Sequence, residues 1–160
     1  MTEIFNIARG RVNAYVDRVV ANDPANSALV VVLLKTAEAD ATLIDYATLS
    51  ALLTAGGGTV NVEANFTNYT RKILTNTELS APTVDNTTNE QYSTIPILVY
   101  ANAGGATNNS VVKMVICYDA DTTAGTDANL IPLTVHDTVF TTDGNPQNIS
   151  APANGFFGAS

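Results

Sequence analysis

Two apolar runs of strand length do most to restrict what this chain can fold into. ALVVVLLK at residues 28–35 and SVVKMVICYD at residues 110–119 are nearly continuous, β-branched stretches. Successive side chains of a strand point to opposite faces, so a strand with one wet face alternates apolar with polar residues. A run that is apolar at almost every position belongs to a strand covered on both faces. The rest of the chain must therefore supply two covering layers. Its composition says of what kind. Thr occurs 22 times and Asn 17 times in 160 residues, whereas 14% of residues are charged, against a usual share of about 25%. Thr suits strands and Asn suits turns. The expected fold class is mainly β: a β-sandwich or jelly-roll-like domain with one short inserted helix at about 43–54.

Local patterns place the elements. Val12, Ala14 and Val16 fall at strand spacing and predict a first strand or extended arm, with a short helix carried by Tyr15, Val19 and Val20 as the alternative, followed by a turn around Asp23-Pro24. Thr42 and Asp45 have capping-box spacing. Behind them Tyr46, Leu49, Leu52 and Leu53 share one helical face, and Gly56, Gly57 and Gly58 end the helix. Val60, Val62, Ala64 and Phe66 alternate with Asn61, Glu63 and Asn65, as in a half-buried strand. Residues 81–91 and 120–129 read as loops, and 94–100 and 130–140 as strands. Pro96 lacks the N–H a central ladder needs, which puts its strand at an edge or a bulge. NGFFGAS, at 154–160, predicts a short closing strand. No repeat or linker interrupts the chain, so residues 1–160 are expected to form one domain.

Charge restricts the partners. The formal net charge is −8. Residues 1–72 hold six bases against seven acids, and residues 73–160 hold Lys113 alone against eight acids. A nucleic-acid binder needs a basic footprint, which this chain lacks. Membrane insertion is not expected either, because the longest apolar run, Ala28 to Leu34, is far short of a bilayer span. MTEIFNIARGR has no long apolar core, so no secretory leader is expected. A lone Cys117 excludes an internal disulfide and fits synthesis in a reducing cytoplasm.

Motifs that could carry chemistry are few. Asp119, Asp121 and Asp127 in DADTTAGTD could converge on a hard cation. As an EF-hand the segment fails, with Ala124 at the tight-turn position and Leu130 where a bidentate Glu belongs, so it reads as an Asx-rich loop. Cys117 and His136 occur once each. Asp137 neighbours His136 on a strand and points to the other face, where it cannot orient the ring. Cys117 has no basic neighbour to lower its pKa. The glycine trio is not followed by the Lys-Ser/Thr of a phosphate cradle. No enzymatic activity, cofactor or metal is expected. Phe5, Arg9, Arg11 and Arg18 stand out instead: an apolar, locally cationic N-terminus on an acidic protein. They predict a docking arm over residues 1–11 that buries Phe5 in a partner while the guanidinium groups pair with its carboxylates.

FNIARGRVNAYVDRVVANDPANSALVVVLLK, DATLIDYATLSALL, ANFTNYTRKILT and CYDADTTAGTDANLIPLTVHD together resemble small virion structural proteins of tailed bacteriophages, chiefly head decoration (capsid cement) proteins. The resemblance spans roughly residues 4–140 and carries no catalytic motif. It implies a non-enzymatic, β-rich homo-oligomer, dimer or trimer. Such a protein is made in the host cytoplasm, is carried on the capsid surface and binds the major capsid protein. Neck, head-fibre or tail roles stand beside it, including a carbohydrate- or receptor-binding sandwich on a fibre.

Overall fold

The two apolar runs pair with each other at the centre of the molecule. The computed structural model describes residues 2–151 and 155–159. Its elements are β1 (Thr2–Ile4), α1 (Val12–Ala21), β2 (Ala28–Thr36), α2 (Asp40–Leu43), α3 (Leu49–Thr54), β3 (Val62–Glu63), β4 (Lys72–Leu74), β5 (Thr83–Asp85), β6 (Glu90–Ser93), β7 (Leu98–Tyr100), β8 (Ser110–Asp119), β9 (Ile131–Thr141), β10 (Gln147–Ile149) and β11 (Phe157–Ala159). The main sheet runs β1-β9-β8-β2-β3, and β4 pairs with β2 on the same edge as β3. Leu29 lies opposite Tyr118 and Val32 opposite Val115 in the central antiparallel pair. Two small antiparallel sheets, β10-β7 and β11-β6-β5, complete the strands. The fold is mainly β and sandwich-like, as expected.

Both faces of β2 are covered, which is why its sequence is apolar without alternation. On one face Leu29, Val31, Leu33, Ile116 and Leu133 pack against Val12, Val16 and Val19 of α1 and against Phe66, Leu98, Tyr100 and Phe156. On the other, Val30, Val32, Leu34, Val115, Cys117 and Val135 meet Phe5, Leu43, Leu49 and Leu52. The small sheets thus close one side of the sandwich and the α2–α3 segment closes the other.

Several expectations are corrected. Residues 12–21 form a helix, because Val12, Val16 and Val19 recur at helical spacing and all three are fully buried. Asn22 ends it in the left-handed conformation (φ 53°). The expected helix over 43–54 is two short pieces instead. Thr48, not Thr42, caps the second, accepting from the Ala51 N–H at 3.1 Å, while Asp45 accepts from Asn6 Nδ2 at 2.6 Å. The strand expected over 60–66 pairs only at Val62–Glu63. Ala64 and Phe66 are buried as predicted, but so is Asn61, which bonds the Glu38 N–H (2.9 Å) and carboxylate (2.6 Å). The 81–91 loop is a hairpin, β5–β6, and Pro96 precedes β7 rather than lying in it. Gly56, Gly57 and Gly58 all take positive φ, and the Gly58 N–H closes onto Ala55 at 2.9 Å, so the trio terminates α3 as read. Phe156 and Phe157 are buried and β11 pairs with β6; Asn154 and Ser160 of that predicted strand lie outside the described residues.

Candidate interaction site

The N-terminal segment is not an arm. Residues 2–4 pair with β9, Thr2 opposite His136, and Phe5 is completely buried in the second core cluster. The Phe5 N–H donates to the Leu133 carbonyl at 3.0 Å. The predicted apolar anchor therefore belongs to this chain's own core, where neither charge nor hydropathy of the segment placed it. Met1 of the expected arm lies outside the described residues.

The arginines behave differently. Arg9, Arg11 and Arg18 are exposed, and none of the ion pairs among the described residues involves them. Arg71 and Lys113 are consumed in pairs with Glu63, Asp127 and Asp40. Lys35 bonds Asn65 at 2.7 Å, and Lys72 sits 4.5 Å above the Tyr100 ring. Arg11 and Arg18 are seven residues apart, roughly 10 Å along the helix. With Ala14 and Tyr15 they border a shallow depression of about 340 Å³. The Tyr15 ring is fixed there by Tyr118, its centroid 4.6 Å away. Sequence reasoning missed Tyr15; Arg11, Tyr15 and Arg18 at i, i+4 and i+7 were its signal, visible only if the segment is read as a helix.

The other flank of α1 is acidic. Asn13 Nδ2 donates to the Gln91 backbone carbonyl and side-chain oxygen at 3.3 and 3.2 Å, and Asn13 Oδ1 accepts from Ser93 Oγ at 2.7 Å, tying the helix to β6. Exposed Asp17 lies on this side, bordering a cleft with Gln91. At the tip of the same hairpin Asp85 stands directly opposite Glu90, with no cation paired to either among the described residues. The Thr87 N–H donates to Asp85 at 2.7 Å and holds its pKa below the ordinary carboxylate value.

The residues singled out for chemistry are dispersed. Cys117 is fully buried, and desolvation pushes its thiol far above the ordinary range. His136 is 6% exposed, bonded to Thr2 Oγ1 and Thr134 Oγ1 at 2.9 Å each, and burial lowers its pKa to about 4. Asp137 faces away, paired with Lys113. In the acidic loop Asp119 accepts from the Asp121 N–H at 3.1 Å, Asp121 accepts from Thr123 Oγ1 at 2.6 Å, and Asp127 turns to Arg71. Among the described residues no three His, Cys, Asp or Glu side chains converge as metal ligands. Every described Phe and Tyr is buried or half-buried. No described helix is long and apolar enough to cross a membrane. Comparison with protein-family models, with curated proteins and with solved structures finds no match.

Proposed function

We propose that this protein is a non-enzymatic phage virion component, a capsid decoration protein that binds the outer shell of the major capsid protein in many copies and stabilises the head. The observation that carries it is the set of three exposed arginines, Arg9, Arg11 and Arg18, that join no ion pair among the described residues although the body is acidic. A cation left unpaired at a fixed position of a rigid scaffold suits a contact between subunits, where a carboxylate on a neighbour completes the pair. Multiplication over a shell makes contacts of modest strength sufficient. The sealed Cys117 and the buried, Thr-bonded His136 fit a scaffold better than a nucleophilic site. The sequence resemblance points the same way.

The test is quantitative mass spectrometry of purified phage particles. The protein should be present at a fixed stoichiometry to the major capsid protein and should bind emptied heads when added back. Presence in infected-cell lysate with absence from purified particles would sink the proposal.

A further inference from the structure

We infer that the Arg11–Tyr15–Arg18 flank of α1 docks onto the Asp85–Glu90 hairpin tip of a second copy of this chain, in a head-to-tail contact. Both halves of the contact are incomplete in one chain. The flank offers two guanidinium groups either side of Ala14 and the ring of Tyr15, and neither is in an ion pair among the described residues. The hairpin offers two carboxylates directly opposite one another, an arrangement that destabilises an antiparallel pair unless a cation answers it. Next to Asp85, Val84 is 62% exposed, an apolar side chain with no cover in its own chain.

The fold prevents an intramolecular solution. Asn13 is bonded to Gln91 and Ser93, so the hairpin lies along the Asn13–Asp17 side of α1. At 100° per residue, Arg11, Tyr15 and Arg18 fall on the other side of the buried Val12–Val16–Val19 stripe. The helix therefore lies between these cations and the hairpin acids, and a neighbouring copy can supply what each flank lacks. A second copy satisfies both patches at once. A polyanion such as a nucleic acid would engage the arginines against a body of net −8 and leave the hairpin carboxylates as they are. Because the two patches differ, the contact is heterologous and propagates into a closed ring or an open filament rather than a two-fold dimer. No capsid protein is needed for it, so it stands or falls separately from the virion assignment.

Sedimentation equilibrium on the purified full chain tests it. Wild type should self-associate, about tenfold more weakly at high than at low salt. R11E/R18E and D85N/E90K, the latter keeping an Asx residue to cap the hairpin, should each associate about tenfold more weakly than wild type. An equimolar mixture of the two variants should associate more tightly than either variant alone, since the intact arginine flank of one meets the intact hairpin of the other. R18A, a milder change, should show a partial loss, and circular dichroism should match wild type throughout. Four results would overturn the inference: a monomeric wild type, variants that associate normally, folded variants that fail to complement on mixing, or a monomer whose arginine flank instead captures polyglutamate or duplex DNA. In that last case the face serves an acidic segment of another protein or a nucleic acid. Self-association in a protein absent from phage particles would defeat the virion assignment and leave this contact standing.

Discussion

Arg71 and Asp127, 56 residues apart in the chain, form a two-point ion pair, Nη1 to Oδ1 at 2.5 Å and Nη2 to Oδ2 at 3.0 Å. The same guanidinium holds Glu63 through Nε and Nη2 at 2.8 and 2.6 Å. Glu63 in turn accepts from the Tyr69 hydroxyl at 2.9 Å, and that hydroxyl accepts from the Leu33 N–H at 3.1 Å. Asp127 also accepts the Ser50 N–H through its backbone carbonyl at 2.9 Å. One side chain thus fastens β3, the residue before β4, the 120–129 loop and the start of α3. The acids raise the Arg71 pKa further, and Arg71 holds Asp127 below its ordinary value.

Removing that centre should leave two half-buried carboxylates facing each other. Arg71→Ala is expected to destabilise the protein by about 1–3 kcal/mol, more than an exposed pair and less than a fully buried one. Arg71→Lys should recover little, because an ammonium cannot bridge two carboxylates with a planar fork. The urea midpoint at unchanged slope measures both.

Burial of His136 makes stability depend on pH in a defined direction. Its pKa is about 4 in the folded state against 6.5 in a free chain, so between these values the unfolded state binds the proton and the folded state does not. Stability is therefore complete above pH 6.5 and declines as the pH falls towards 4, by on the order of 3 kcal/mol at most. Urea titrations across this range should show the decline, and His136→Gln should flatten it.

Tyr118 is 2% exposed and its hydroxyl finds no protein partner among the described residues. Desolvating a hydroxyl without a compensating bond is unfavourable. Tyr118→Phe should accordingly be neutral or stabilising by up to about 1 kcal/mol while keeping the ring against Tyr15. A clear fall in melting temperature would show that the hydroxyl is engaged.

Phe5 fills the second core between the sheet and the α2–α3 segment. Phe5→Ala should cost about 3–5 kcal/mol through lost burial and the cavity left behind. Deleting residues 1–11 should remove β1 and Phe5 together and unfold the chain or nearly so. Thermal melts followed by circular dichroism would decide; an unchanged melt would mean that the segment is dispensable after all.

The amino-acid sequence by itself determined the two central strands, the mainly β class, the glycine terminator after α3 and the sealed setting of Cys117. Each follows from a property of consecutive residues: an apolar run with no wet face, a Thr- and Asn-rich composition, or positive-φ glycines. Tertiary structure decided the rest. Val12 and Val16 are four apart, which puts them on one face of a strand and of a helix alike, so local spacing was ambiguous. Packing against Leu29 and Ile116 resolved it through Val19. Thr42 read as the cap of one helix, but the pairing of Asp45 with Asn6 and of the Leu49 N–H with the Leu130 carbonyl breaks the segment, and Thr48 caps its second piece. Phe5 read as an exposed anchor because the residues that bury it lie near 30, 50 and 135. Asp127 read as one of three loop acids because Arg71, its partner, is 56 residues away. Spacing along a chain reports which side chains share a face. Only the folded sheet brings distant residues to that face, and their burial and pairing free energies then override local preference.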